Sequence, residues 1–337
     1  MFVEKRNHFV DSLKGFAIVL VVLGHSIQFG TYDGVTTKGV VFSFIYSFHM
    51  PLFMFLSGYV AKPDGTLRYA KDRFLRLFVP FESYAFLVCI KECIRFGSII
   101  ASAKHFLYLQ LFPNNGGLWF VYVLFFLHII LNLMIKMRAS NNLGITCCIS
   151  ACVIISAFYD DWYLFGLKYI LQYLIFFLVG FILKNYAYIS EVKGNFKNYA
   201  IALIEMGIML TWRFEDLPIM FGTFNLHADS VLVRSLIFIY NFFVPFVGID
   251  FSRRVISSIS NVRIVRIELE KLGKMSLEIY FIHGLFIIEL ASVIKHIVSV
   301  PESLLVVIIF GLTFLFTLVI SKLINKNNVA RRLCFGK

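Results

Sequence analysis

Apolar runs of about 20 residues recur from one end of the chain to the other, separated by short polar stretches. As an α-helix rising about 1.5 Å per residue, a run of that length crosses the roughly 30 Å hydrocarbon core of a bilayer. The runs predict ten spanning helices, near 9–29, 39–60, 79–99, 118–136, 143–159, 163–183, 199–213, 231–250, 274–294 and 302–324. The period-two alternation of an outer-membrane barrel is weak and the runs are unbroken, which argues against that architecture. The fold class is therefore all-α, a polytopic membrane helical bundle. No internal repeat, low-complexity tract or linker interrupts the pattern. The 337 residues are expected to form a single integral membrane domain, 1–337, with no appended soluble domain.

Composition agrees: 59% of residues are hydrophobic and only 15% charged, against about 25% charged in soluble domains. The formal net charge is +12, which in a soluble protein would point to nucleic acid. Here the loops account for it. If the N-terminus is cytoplasmic, alternate loops and the two termini hold 23 of the 32 lysines and arginines. That asymmetry places both termini in the cytoplasm and makes membrane lipid, not nucleic acid, the partner of the basic surface. Five of the six cysteines lie in apolar runs and none has a paired metal-ligand spacing, so no metal site is expected. Lys5 and Arg6 precede an apolar run as in a signal peptide, but no small-x-small cleavage site follows, so the run reads as a retained first span.

The first run, DSLKGFAIVLVVLGHSIQF from Asp11, carries the first candidate chemistry. Between Lys14 and His25 stand ten residues without a charged or hydrogen-bonding side chain. Eleven helical steps are close to three whole turns, so the two side chains share one stripe about 16 Å apart, with Asp11 on it too. An ionisable group inside a membrane is costly and marks a site by default, although a histidine hydrogen-bonded within a bundle is the bland alternative. His49 and His283 also sit in apolar runs, and Glu278 lies five residues before His283. Pro51 removes a backbone donor and is expected to kink the second span, with His49 near enough to satisfy the freed carbonyl. In the basic segment AKPDGTLRYAKDRFLRLF, Arg73 and Arg76 stand three apart, on one helix face. Segment 251–273 is basic and amphipathic, the pattern of a helix lying on the cytoplasmic interface. FPNNGGLWF reads as an outer turn followed by an interfacial Trp119. The outer stretch 214–230 mixes carboxylates with aromatics, which suits sugars and equally a solvated loop.

Taken together, RNHFVDSLKGFAIVLVVLGHS, FIYSFHMPLFMFLSGY, KDRFLRLFVPF, GGLWFVYVL and SLEIYFIHGLF, in this order and over nearly the whole chain, resemble the acyltransferase family 3 integral membrane proteins. The opening looks closest to the fucose 4-O-acetylase-like branch. The resemblance implies transfer of an acyl group, usually acetyl, from cytoplasmic acyl-CoA to a hydroxyl on a surface or exported glycan or a lipid-linked sugar. It places the chain in a bacterial inner membrane. Acetyl-CoA would be the donor substrate, with no bound cofactor. The family's basic residue and histidine in the first span fall on Lys14 and His25, and its Arg-x-x-Arg pattern on Arg73 and Arg76.

The chemistry is consistent with that implication. A sugar hydroxyl needs a base, and histidine titrates near neutrality. Burial keeps such a histidine neutral, and a carboxylate partner, either Glu278 or Glu82, would push the other way. Arginine forks suit the phosphates of CoA. The candidate catalytic residues are thus His25, Lys14, His49, His283 and Glu278, and Arg73 and Arg76 are the candidate donor-binding pair. Direct transfer and an acyl-enzyme relay both stay open. So does a different class, a transporter or flippase for a lipid-linked sugar, since intramembrane ionisable groups also mark transporters; no inverted repeat supports it.

Overall fold

The computed structural model describes residues 7–31, 39–113, 118–158, 163–192, 194–213 and 230–337, and among these no strand occurs. The helices in chain order are α1 (His8–Gly30), α2 (Val40–Tyr46), α3 (His49–Tyr59), α4 (Leu67–Arg73), α5 (Val79–Phe96), α6 (Ile99–Leu111), α7 (Trp119–Lys136), α8 (Asn142–Phe158), α9 (Leu167–Leu183), α10 (Phe196–Thr211), α11 (Val231–Ile259), α12 (Arg263–Lys274), α13 (Ser276–Ile297), α14 (Glu302–Asn325) and α15 (Asn328–Phe335). Their starts are set by side chains. Asn7, Thr66, Ser98, Asn195, Ser230 and Asn327 each accept a backbone N–H from the turn that follows, satisfying donors the helix leaves open.

Helices occupy all ten predicted segments. Seven stretches among the described residues are long and apolar enough to cross a membrane: His8–Gly30, Val40–Tyr59, Trp119–Lys136, Leu164–Tyr186, Ser235–Ile259, Ser276–Ile297 and Glu302–Asn325. The other three predicted spans are α5, which carries Glu82, Lys91, Glu92 and Arg95, and the shorter α8 and α10, of 17 and 16 residues. The second span is not one kinked helix. It breaks between α2 and α3 at Ser47 and Phe48, ahead of Pro51. Pro51 sits in the first turn of α3, where an N–H would have no intrahelical partner in any case.

α1 lies at the centre, packed on α2, α3, α11, α12, α13 and α14. Two of the closest helix contacts rest on glycine. A Cβ on Gly58 would fall 1.9 Å from the Phe177 carbonyl oxygen, and one on Gly180 2.1 Å from that of Phe55, so α3 and α9 touch backbone to backbone. The α1–α12 contact is made the same way by Gly15 and Gly273. In lipid, where apolar side chains gain little by leaving their surroundings, small residues at helix crossings supply the packing. The amphipathic α12 is therefore a packed element of the bundle, although Ile264 and Ile267 on its outer side stay exposed.

The segments read as basic loops meet at one end of the bundle. Lys184 Nζ donates to the Ala61 carbonyl at 3.2 Å, Val192 N to Ser257 Oγ at 2.9 Å, and His8 Nδ1 is 2.8 Å from Glu270. At this basic end Gly336, with φ +64°, lies against the backbone of Arg76.

Candidate active site

α1 is a single unbroken helix through Lys14 and His25. The two residues keep their separation of about 16 Å along its axis, Lys14 toward the basic end and His25 toward the other. α13, packed beside it, brings His283 onto His25: Nδ1 of His25 and Nε2 of His283 are 2.9 Å apart, the rings nearly parallel with centroids at 5.2 Å. His283 is fully buried, and its Nδ1 is 2.8 Å from the Ile279 carbonyl oxygen one turn earlier on α13.

These two contacts fix the tautomers of a neutral pair. A carbonyl oxygen only accepts, so His283 carries its proton on Nδ1 and presents Nε2 as an acceptor. His25 then donates from Nδ1, and its Nε2 is left as a proton acceptor. His25 lines a cavity of about 410 Å³ with Gln28, Tyr84, Lys91, Glu92, His105 and Trp119. Its polar lining is held in place. Tyr84 donates to the Gly284 carbonyl at 2.9 Å, Lys91 pairs with Glu289 at 2.8 Å, and His105 pairs with Glu92. Trp119 stands in its wall, backed by the rings of Tyr169 and Tyr173. Amide, carboxylate, imidazole and ammonium groups share this cavity with an indole and apolar side chains such as Phe29 and Ile287, a mixed lining able to hold a hydroxylated ring.

His49 does not join the histidine pair by a hydrogen bond. It is 3% exposed and its Nδ1 donates to the Ile45 carbonyl at 2.8 Å, not to the Ser47 carbonyl opposite Pro51. Its ring meets Tyr46 edge-on, and the Tyr46 hydroxyl donates to Gln28 Oε1 at 3.2 Å. His49 thus stands behind the wall of the His25 cavity.

On the basic side Lys14 lines two adjoining spaces. One, of about 330 Å³, is shared with Ser57, Lys62, Tyr69, Arg73 and His128. The other, of about 140 Å³, runs deeper past Ser57 and Leu124 to Met50, Phe120 and Tyr280. Tyr280 closes the inner end of this path, its ring centroid 5.6 Å from that of His283.

Arg73 and Arg76 converge, but on Asp72: Arg73 Nη2 and Arg76 Nε each lie 2.9 Å from one of its oxygens. The helix widens to a π turn over 74–78, which starts just after Arg73 and contains Arg76. Arg73 Nε is buried and without a hydrogen-bond partner among the described residues. Its guanidinium lies 5.0 Å over the Tyr69 ring.

Glu278 is not the partner of His25. It is 4% exposed, and its oxygens take Asn325 Nδ2 at 2.9 Å, Lys337 Nζ at 2.6 Å and the Ser321 hydroxyl. Glu82 accepts from Gln110 at 3.0 Å. A histidine fills the place expected for a carboxylate. The carboxylates and aromatics of 214–229 lie outside the described residues.

Two residues of the inner space, His128 and Tyr69, and Asn132 behind it join the site through contacts between distant segments. His128, buried in α7, has Nδ1 2.7 Å from the Tyr69 hydroxyl. Burial holds that phenol up at about 12, so it stays protonated. Asn132, one turn on, takes the Gly65 N–H at 2.9 Å and donates to the Thr66 carbonyl at 3.0 Å. α7 thereby fixes the segment that leads into Arg73. His128 carries the same signal as His25, a histidine within an apolar run.

Comparison with known proteins completes the picture. The chain is similar to the nodulation protein NolL of Sinorhizobium fredii (strain NBRC 101917 / NGR234), 38% identical over 93 residues that make up 25% of each chain. It is also similar to the nodulation protein NolL of Mesorhizobium japonicum (strain LMG 29417 / CECT 9101 / MAFF 303099), 42% identical over 60 residues, 17% of this chain and 16% of the relative. The chain thus matches a quarter or less of the length of these relatives. No solved structure matches it. A family model described as an acyltransferase domain matches residues 7–322, which include the histidine pair, the paired arginines and both cavities, and on that match the chain belongs to the acyltransferase family 3 integral membrane proteins.

Proposed function

We propose that this membrane acyltransferase is an O-acetyltransferase that uses cytoplasmic acetyl-CoA and acylates a sugar hydroxyl of a surface or exported glycan, in a bacterial inner membrane. The single observation that carries the reading is the hydrogen bond from His25 Nδ1 to His283 Nε2. It directs the basic Nε2 of His25 to the acceptor.

In this reading the basic end faces the cytoplasm, as the positive-inside rule requires. Arg73, Arg76 and Lys62 receive the phosphates of CoA, with Arg73 turning from Asp72 to the donor, since a guanidinium fork suits phosphate oxygens. The pantetheine arm runs along the inner path past Lys14 and Ser57 and brings the thioester to Tyr280. The sugar enters the cavity of Gln28, Glu92 and Trp119 from the opposite side. His25 Nε2 takes the proton of the acceptor hydroxyl as its oxygen attacks the thioester carbonyl carbon. The carbon–sulfur bond breaks, and the departing thiolate takes that proton from His25, leaving an ester and free CoA. His283 acts by holding His25 in the accepting tautomer, His49 by backing the cavity wall through Tyr46, and Glu278 by anchoring α13 to α14 and the C-terminal lysine.

The test is acetyl on purified glycan from cells carrying His25→Ala. Loss of a general base costs about 10²-fold or more, so acetylation should fall by that factor with protein level and glycan amount unchanged. Near-normal acetylation would remove His25 from the chemistry.

A further inference from the structure

α15 has no part in the acyl-transfer reading, yet it is built as two unlike faces. Phe335 is 1% exposed and meets Phe281 edge-on at 6.0 Å, which pins the helix to α13. Val329 and Leu333, four residues apart and so on one stripe, are 67% and 45% exposed. Together with Asn328, Arg331, Arg332 and Lys337 they line a cleft of about 430 Å³; Lys337 is already paired with Glu278, so the two arginines are the cations left to the cleft. Lys322 and Lys326, both exposed at the end of α14, add charge of the same sign nearby.

One atom in this cleft stands out. Arg331 Nε is buried and has no hydrogen-bond partner among the described residues. A buried donor without an acceptor is costly, and more so when charged. The first N–H groups of α15 do not supply the site, because Asn327 already takes those of Val329 and Ala330. A turn of the Arg331 side chain would bring that donor to an anionic oxygen in the cleft, beside the exposed Arg332.

We propose that this cleft binds the phosphate of an anionic phospholipid headgroup, with Val329 and Leu333 set into the acyl-chain region beside it. The exposed apolar pair argues for a lipid and against a soluble phosphate, which would have no use for it. The cleft lies at the end of the bundle where basic segments gather, where anionic headgroups attract lysine and arginine. Through Gly336, which abuts the backbone of Arg76, a bound lipid would also hold the C-terminal helix against the π turn.

Native mass spectrometry of the full chain in a neutral detergent tests this with dioleoyl phosphatidylglycerol, dioleoyl phosphatidylcholine, glycerol 3-phosphate and 3′,5′-ADP as probes. Phosphatidylglycerol should bind and the choline lipid should not, with glycerol 3-phosphate far weaker for want of acyl chains. Arg331→Gln with Arg332→Gln should weaken the anionic lipid about tenfold, the loss of a charge-assisted hydrogen bond. Arg331→Lys keeps the charge without the Nε–H and should be intermediate. Val329→Ser with Leu333→Ser should weaken the lipid but not glycerol 3-phosphate. Equal binding of both lipids would overturn the site. So would unchanged affinity in Arg331→Gln/Arg332→Gln protein that elutes as a monodisperse peak, or 3′,5′-ADP displacing the lipid stoichiometrically, which would make the cleft a nucleotide site.

Discussion

Replacing His283 separates positioning from packing. In the structure its Nε2 accepts from His25 Nδ1 at 2.9 Å, while its own Nδ1 is committed to the Ile279 carbonyl. His283→Phe fills much the same volume but offers no acceptor, so the His25 N–H is left buried and unpaired and the ring is free to present the wrong nitrogen. A lost hydrogen bond plus an unsatisfied buried donor amounts to about 2–3 kcal/mol, or roughly 30- to 150-fold in rate. His283→Gln carries a carbonyl oxygen on a side chain of similar reach and should recover a good part of that loss. The assay is transfer of radiolabelled acetyl from acetyl-CoA to purified glycan by membrane vesicles, normalised to protein level. The fall should be in kcat, with KM for acetyl-CoA little changed, because the inner space does not include His283. If His283→Phe keeps the wild-type rate, or His283→Gln is no better than Phe, the histidine pair is packing and the tautomer argument fails.

Other expectations follow from the same geometry. Arg73→Ala and Arg76→Ala should raise KM for acetyl-CoA about tenfold, and the lysine replacements should be impaired too, because an ammonium lacks the planar fork; titrating acetyl-CoA in the transfer assay reads this directly. Asn132→Ala should also raise KM rather than lower kcat, since it frees the backbone of Gly65 and Thr66 ahead of Arg73. Gly58→Val should cost roughly 3 kcal/mol or more, because the new side chain meets the Phe177 carbonyl and backbone cannot swing aside; the readout is monodispersity on size exclusion after detergent extraction.

Much of the bundle was legible because spanning helices are announced by length and apolarity alone, and a helix lies on each of the ten predicted segments. The Lys14–His25 stripe was legible for a similar reason: both residues belong to one helix, where spacing is geometry. What sequence could not supply are contacts between distant segments. His283, 258 positions from His25, was visible as an intramembrane histidine but not as its partner. Glu278 reads as a catalytic carboxylate in sequence because its neighbours there are apolar. Ser321, Asn325 and Lys337, which satisfy it, lie more than 40 positions away. The break falls at Ser47 and Phe48 and not at Pro51: proline is the local cue for a kink, and a first-turn proline needs none. His128 also lies within an apolar run, but it is its partner Tyr69, on another helix, that marks it as more than a core residue.

The central claim is that the acyl donor enters from the basic end and the acceptor from the other. The most direct measurement uses purified protein in proteoliposomes, with its orientation read from protease cleavage of a C-terminal tag. Acetyl-CoA is supplied on one side only, and a labelled glycan acceptor on the opposite side. Transfer should occur only when acetyl-CoA is on the side bearing the C-terminus, and His25→Ala should abolish it. Transfer from acetyl-CoA on the other side, or equal transfer from both, would contradict the account.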